Sequence, residues 1–387
     1  MPMATDPLRR HLLLRTSVLA LSGLAARDTA WAGVRPLTKE DAPELIANWQ
    51  VGGQAWTGRL RAGPSGHLQV VQALKLPTRA HGCVQAPGRH EVLTVARRPG
   101  DWLLKWSLDN ARSQRHWIED DHVFNGHAVF SPDGRRVFTT ETHLDTGDGV
   151  VGVRDAHSLE RLASWSTAGW DPHELVWAPE GVFERPTLMV ANGGIPYQPE
   201  TGRAKVGLDR MAPSLVALDA TTGQVCGQWR LPDPRLSVRH LAWHQAPDQP
   251  PVLGVALQAE HDDPSQRAAA PVLALWRRDT GLQALPAQPD LAGYGGAITG
   301  TDTGFAIGAP RAHRVARWTA RGDALEPLAL PDACPVAGRV GTGLWAGGRA
   351  SARQLVGRTP QPWSIATPDG LLLDNHWALV TPRDAPP

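Results

Sequence analysis

The chain has 387 residues, 42% of them hydrophobic and 20% charged, which excludes a disordered protein and leaves room for one large or two ordinary domains. Its 39 basic and 38 acidic residues nearly cancel, so there is no electrostatic footprint for nucleic acid or an anionic membrane surface. Abundant glycine (39) and proline (34) point instead to many short strands joined by turns, and the 16 tryptophans read chiefly as packing between sheets.

At the N-terminus, Arg9-Arg10 precede an apolar run from Leu12 to Ala26 that Arg15 interrupts, and Ala30-Trp31-Ala32 fits a small-x-small cleavage site. The run is too short and too broken to span a bilayer stably. Residues 1–32 are therefore expected to be an export signal of the twin-arginine type, although a general secretory signal can carry such a pair. Residues 33–387 then form one mature domain in a bacterial periplasm. That compartment permits disulfides, but Cys83, Cys226 and Cys334 allow at most one internal pair, and the sequence does not choose it.

Only the stretch from Thr38 to Trp49 suggests a turn or two of helix; the remainder reads as strands. The segment NGHAVFSPDGRRVFTTETHLDTGDGVVGVRDA shows the unit: two strands around Pro132-Asp133-Gly134, a loop, then a third strand. A histidine opens the equivalent strand at His81, His127, His173 and His240; the longest interval contains an insertion between Gly193 and Pro213. Weaker copies follow without the histidine: GYGGAITGTDTGFAIGAPRAHRVARWTARGD, PVAGRVGTGLWAGGRASARQLVGR and a final WSIATPDGLLLDNHWALV. Turns at 219–223 and 278–281 join third and fourth strands. Four-stranded units of about 40–50 residues repeated radially predict an all-β, seven-bladed β-propeller. Asn48–Leu60 are expected to complete a blade with the C-terminal strands, removing open sheet edges. Two β-sandwiches are the alternative, which evenly spaced strand-opening histidines fit less well.

In a propeller, the loop entering each innermost strand and the loop after the second strand share one face beside the central channel. His81, His127, His173 and His240 thus gather at one channel mouth. The second-strand loops add Arg97, Glu141, His143, Asn192, Gln258, Glu260 and His261, and Trp170 and Asp171 join the same rim. Three chemistries fit this set. The imidazoles can satisfy backbone groups within their own blades. They can bind a transition-metal ion such as iron or copper, with Glu141 as carboxylate partner. Or the rim can take an anionic small molecule through Arg97, Glu141, Asn192, Arg203, Lys205 and Arg210, three of which lie on the insertion. Imidazole nitrogens about 3–4 Å apart would fit direct coordination, and separations beyond about 8 Å the structural role. No nucleophile elbow, H-E-x-x-H helix, phosphate-binding glycine loop or C-x-x-C-H haem motif is present.

The series HGC, NGHAVFSPDGRRVFTTE, GVVGVRDA, DPHEL, VANGGI, GRAKVGLDRMAPSLVALDATTG and SVRHLA resembles the domain of unknown function 1513 family, most densely from His81 to Trp243. The resemblance implies an exported bacterial seven-bladed propeller. It carries over onto His81, His127, Glu141, His173, Glu174, Asn192, Arg203, Lys205 and His240; the family commonly has Asn or Asp near position 143, where this chain has His143. Family members tend to be encoded beside imelysin-like and haem-peroxidase-like periplasmic proteins linked to iron uptake, which implies such partners and a metal-related role. The expected function is a periplasmic ligand-binding protein, an iron-uptake accessory. The alternatives are an oxidoreductase or metal-assisted hydrolase using the same mouth, and a protein–protein scaffold.

Overall fold

The computed structural model describes residues 44–62, 67–197, 204–247, 249–339, 343–356, 359–365 and 370–381. The expected export segment, 1–32, lies outside the described residues. The chain enters through β1 (Glu44–Val51), β2 (Gln54–Ala62) and β3 (His67–Lys75). Five complete blades follow. They are β4 (Ala80–Gln85), β5 (Glu91–Ala96), β6 (Trp102–Ser107) and β7 (Ser113–Trp117); then β8 (His122–Phe130), β9 (Arg136–His143), β10 (Gly149–Asp155) and β11 (Arg161–Ser166). The third holds β12 (Pro172–Trp177), β13 (Thr187–Asn192), β14 (Ser214–Asp219) and β15 (Val225–Trp229). The fourth holds β16 (Leu236–His244), β17 (Val252–Ala259), β18 (Leu273–Arg277) and β19 (Gly281–Ala284). The fifth holds β20 (Ala297–Gly300), β21 (Gly304–Ala309), β22 (Arg314–Thr319) and β23 (Ala324–Ala329). A sixth holds β24 (Val336–Arg339), β25 (Gly343–Gly347), β26 (Ser351–Val356) and β27 (Thr359–Ile365).

The last strand, β28 (Leu372–Leu379), pairs antiparallel with β1 and becomes the innermost strand of a seventh blade, β28-β1-β2-β3. The expected closure of N- and C-terminal strands is thus present, and Leu45 lies opposite Leu379. Innermost strands β28, β4, β8, β12, β16, β20 and β24 each contact the next around the ring. The helix expected near Thr38–Trp49 is instead the strand β1 from Glu44 onward. Its burial pattern, with Leu45 to Trp49 all buried, belongs to a strand covered on both faces, and that covering overrides a weak local preference.

The core lies between blades. Trp102, Trp106 and Leu104 of one blade pack on Ile46 and Leu76 of its neighbour, and Trp276 packs beside Leu253 and Met189 across another interface. The Trp102 and Trp106 indoles are fully buried and donate to Thr78 and Thr94 hydroxyls at 2.8 and 3.0 Å. These tryptophans fill the wedge between twisted sheets while their N–H groups stay satisfied. The hairpin at Pro132-Asp133-Gly134 closes as read: Asp133 accepts from the Arg135 amide at 3.0 Å.

Candidate functional site

Histidines on five consecutive blades meet at the channel axis. His81, His127, His173 and His240 each offer one ring nitrogen, and the four atoms lie within 4.8 Å of one another. Ring centroids stand 4.6 Å apart for His173 and His240 and 4.8 Å apart for His81 and His127. A fifth ring, His376 of β28, packs against His81, His240 and His127 with centroids at 4.4, 4.7 and 5.0 Å.

A local device puts each ring there. In all five blades the innermost strand slips register against its neighbour where the histidine sits: between Ala80 and Cys83, Phe124 and Ala128, Pro172 and Leu175, Val238 and His240, and opposite Ala47/Trp49 for β28. A bulge breaks the ladder and re-aims a side chain. In the two blades without such a histidine, β20 and β24 pair without a slip. The carbonyls displaced by the bulges are satisfied by side chains: Asn48 donates to the His81 carbonyl at 3.0 Å and Thr140 to that of His173 at 3.0 Å. Gly126 takes a φ of +111°, and a Cβ there would lie 2.5 Å from the His81 ring. Only glycine fits both the backbone and the space.

Burial is the first cause of depressed imidazole basicity throughout the cluster, and neighbouring histidines or arginines add to it. His81, His127, His173 and His376 fall well below the ordinary value, and His240 falls to about 3. The rings are neutral, the state that ligates metal. Glu174 stands behind two of them: His240 Nδ1 donates to it at 3.0 Å, and His127 Nδ1 lies 3.5 Å away. A carboxylate on the Nδ1 side turns Nε2 and its lone pair outward. The Nε2 atoms of His81, His127 and His376 are buried without a hydrogen-bond partner.

The geometry can be weighed. Two nitrogens bound to one ion at about 2.1 Å stand at most about 4.2 Å apart. The four ligand atoms lie within 4.8 Å of one another, a bound that reaches this span and is well inside the separation a purely structural role would leave. Three of the rings, His81, His173 and His240, border a cavity of about 100 Å³. A larger cleft of about 630 Å³, around Arg89, Lys105 and Asn110, shares no residue with the cluster.

The profile of the family described as protein of unknown function, DUF1513, matches residues 74–380. The chain belongs to the DUF1513 family. No curated protein matches it. Among solved structures, this chain resembles Kuenenia stuttgartiensis hydrazine synthase at 14% identity, TM-score 0.53, covering 77% of this chain and 90% of that one. It also resembles virginiamycin B lyase from Staphylococcus aureus at 12% identity, TM-score 0.52, covering 74% and 89%. At such identities the likeness is one of fold.

The remaining expected site residues of this DUF1513 chain divide. Arg97 and Lys205 line the cavity, as does Gln258. Glu141 does not reach it: wholly buried, its Oε1 accepts from Arg154 Nη2 at 2.9 Å and Nε at 3.0 Å, inside its own blade. Asn192 is also buried and donates to the Thr167 carbonyl at 2.9 Å and the Ser214 hydroxyl at 3.2 Å. Arg210 is exposed on a short 3₁₀ turn and does not line the cavity, and Arg203 lies outside the described residues. His261 is held by Asp233 at 2.9 Å. His143 pairs with His122 on β8, with centroids 4.9 Å apart, in a second group with Asp121, which accepts from Arg161 at 3.0 Å. Cys83, Cys226 and Cys334 are all free, and burial pushes the Cys83 and Cys334 thiols up to about 12. Cys83 packs in the interblade core and is no thiolate donor beside His81.

His376 falls in the final unit, which by sequence reads as a copy without the strand-opening histidine. The signal was present: Asn-His-Trp-Ala-Leu at 375–379 parallels Arg-His-Leu-Ala-Trp at 239–243, but the last unit begins in mid-blade. Glu174 follows His173 directly and was overlooked as the carboxylate partner because only the fold sets it between His127 and His240.

Proposed function

We propose that this protein binds a transition-metal ion through His81, His127, His173 and His240, with His376 beside them, as a periplasmic accessory of iron uptake. The observation that carries the metal reading is four ring nitrogens within 4.8 Å of one another, with Nε2 of His81 and of His127 buried and unpartnered. Each such orphan costs about 1–3 kcal/mol, a penalty that a bound ion removes. An all-imidazole set suits iron, copper, nickel or zinc, whereas magnesium and calcium prefer oxygen. Glu174 supplies the carboxylate role first expected of Glu141, acting through His240 and His127. The periplasmic setting rests on Arg9-Arg10 and the apolar run after them. The link to iron, and to imelysin-like and haem-peroxidase-like partners, rests on the family resemblance.

Elemental analysis of the exported protein tests the reading. The native chain should carry close to one equivalent of metal and the His127→Ala/His173→Ala variant almost none. Equal and negligible metal in both would refute it.

Metal-assisted hydrolysis or redox chemistry at the same mouth is a second reading, supported by the three rings that border the cavity and leave an ion one face open to another ligand. Turnover of a small ester or peroxide by the loaded protein, absent from the double variant, would support this reading.

A further inference from the structure

The cavity over the histidines has a one-sided charge. Among the described residues its lining includes four basic side chains, Arg97, Arg98, Lys205 and Arg239, and no carboxylate. Tyr294 and Asn375 add neutral polar groups. The nearest acids stand behind the cations: Asp171 receives Arg239 at 2.8 Å and also Arg98, and Glu260 receives Lys205. Two carboxylates thus face three of these cations, so these pairs leave an excess of positive charge. Arg239 is 2% exposed, yet its Nε has no partner. Burial, with Arg239 next in effect, pulls the Lys205 ammonium down to about 8, a sign of how crowded the positive charge is.

We propose that this cavity is a subsite for a small oxyanion, of the phosphate or carboxylate class, which binds directly over the ion held by the histidines. The inference rests on the metal reading above for its lower half and on the four cations for its upper half. Size selects the class. A cavity of about 100 Å³ that opens to solvent suits a small anion such as phosphate, carbonate or formate. Charge supplies the reason. Neutral imidazoles bring no negative charge to a dication, and the cations above would repel it in a buried site. An anion touching both layers compensates both. Binding is therefore linked, and by thermodynamic reciprocity the ion and the anion raise each other's affinity by the same factor.

The test uses the mature chain, freed of metal and dialysed into an anion-poor buffer. Co(II) is the metal probe, followed by its visible absorption. Phosphate, bicarbonate and formate are the separate anion arms, each also titrated calorimetrically into metal-free protein. In the native chain at least one anion should tighten Co(II) binding about tenfold or more, and the arm that does so names the class. Lys205→Met, checked for an unchanged melting temperature, should cut that gain to less than about threefold; Tyr294→Phe gives a second probe of the same wall. If Co(II) binds and none of the three anions changes its affinity, the oxyanion subsite is wrong and the metal reading stands. If Co(II) does not bind but an anion binds metal-free protein in a Lys205-dependent manner, the subsite stands and the metal reading falls. If neither binds, both fall.

Discussion

Two carboxylates of this protein, Glu141 and the half-buried Glu174, have different surroundings that set them apart. Glu141 faces Arg154, a guanidinium with no exposed surface that also donates to Glu119 at 2.8 Å. Removing Glu141 leaves that charge half-compensated in the core. Glu141→Ala should therefore destabilise the protein by about 3–5 kcal/mol, measured by chemical denaturation, with metal stoichiometry unchanged. Glu174 instead backs the Nδ1 atoms of His240 and His127. Glu174→Gln should leave denaturation nearly unaltered and weaken metal binding by about 10–100-fold. The reverse pattern would exchange the two assignments. In the sequence Glu141 lies past the second strand of its blade and Glu174 directly follows a strand-opening histidine. Only the partner across the blade separates a structural ion pair from a supporting carboxylate.

The working element is the bulged inner strand, which turns an ordinary blade into one arm of the site. Hairpins, blade order and strand-opening histidines could all be read from turn residues and from the spacing of the repeat. The bulges could not, because a slip of register is decided by the neighbouring strand and by what satisfies the freed carbonyls. Gly126 is the sharpest probe. Gly126→Ala would set a methyl 2.5 Å from the His81 ring at a φ of +111°, whereas Gly88, at +61°, has nothing within 4 Å of such a methyl. Gly88→Ala should cost about 1 kcal/mol of backbone strain. Gly126→Ala should cost clearly more and also reduce metal affinity, which metal titration of the two variants side by side would show. Equal losses from both, with metal binding intact, would mean that the ring has room to move.

On the scale of the whole molecule, closure of the ring and assembly of the site are one event. β28 is both the strand that seals the propeller against β1 and the carrier of His376. Five blades must be in place before the rings meet, so an ion that binds only the closed ring stabilises it as a whole. At a free concentration 100 times its Kd, such an ion adds about 2.7 kcal/mol. Stripping the protein with EDTA should lower its melting temperature by several degrees, and restoring Co(II) should recover it. His127→Ala/His173→Ala should melt at one temperature with or without metal; a native chain indifferent to EDTA would deny the linkage.

By itself the sequence determined that this chain is a ring of four-stranded blades, sealed by its own ends, with histidines of successive repeats facing one axis. Those features follow from local turn chemistry and from periodicity, both written along the chain. The tertiary structure decided which polar residues share the axis: it brought in His376 and Glu174, kept Arg97 and Lys205, and withdrew Glu141 and Asn192 into their own blades. That selection depends on bulges, on interblade packing and on which buried charge finds a partner, and these are properties of neighbours far apart in sequence.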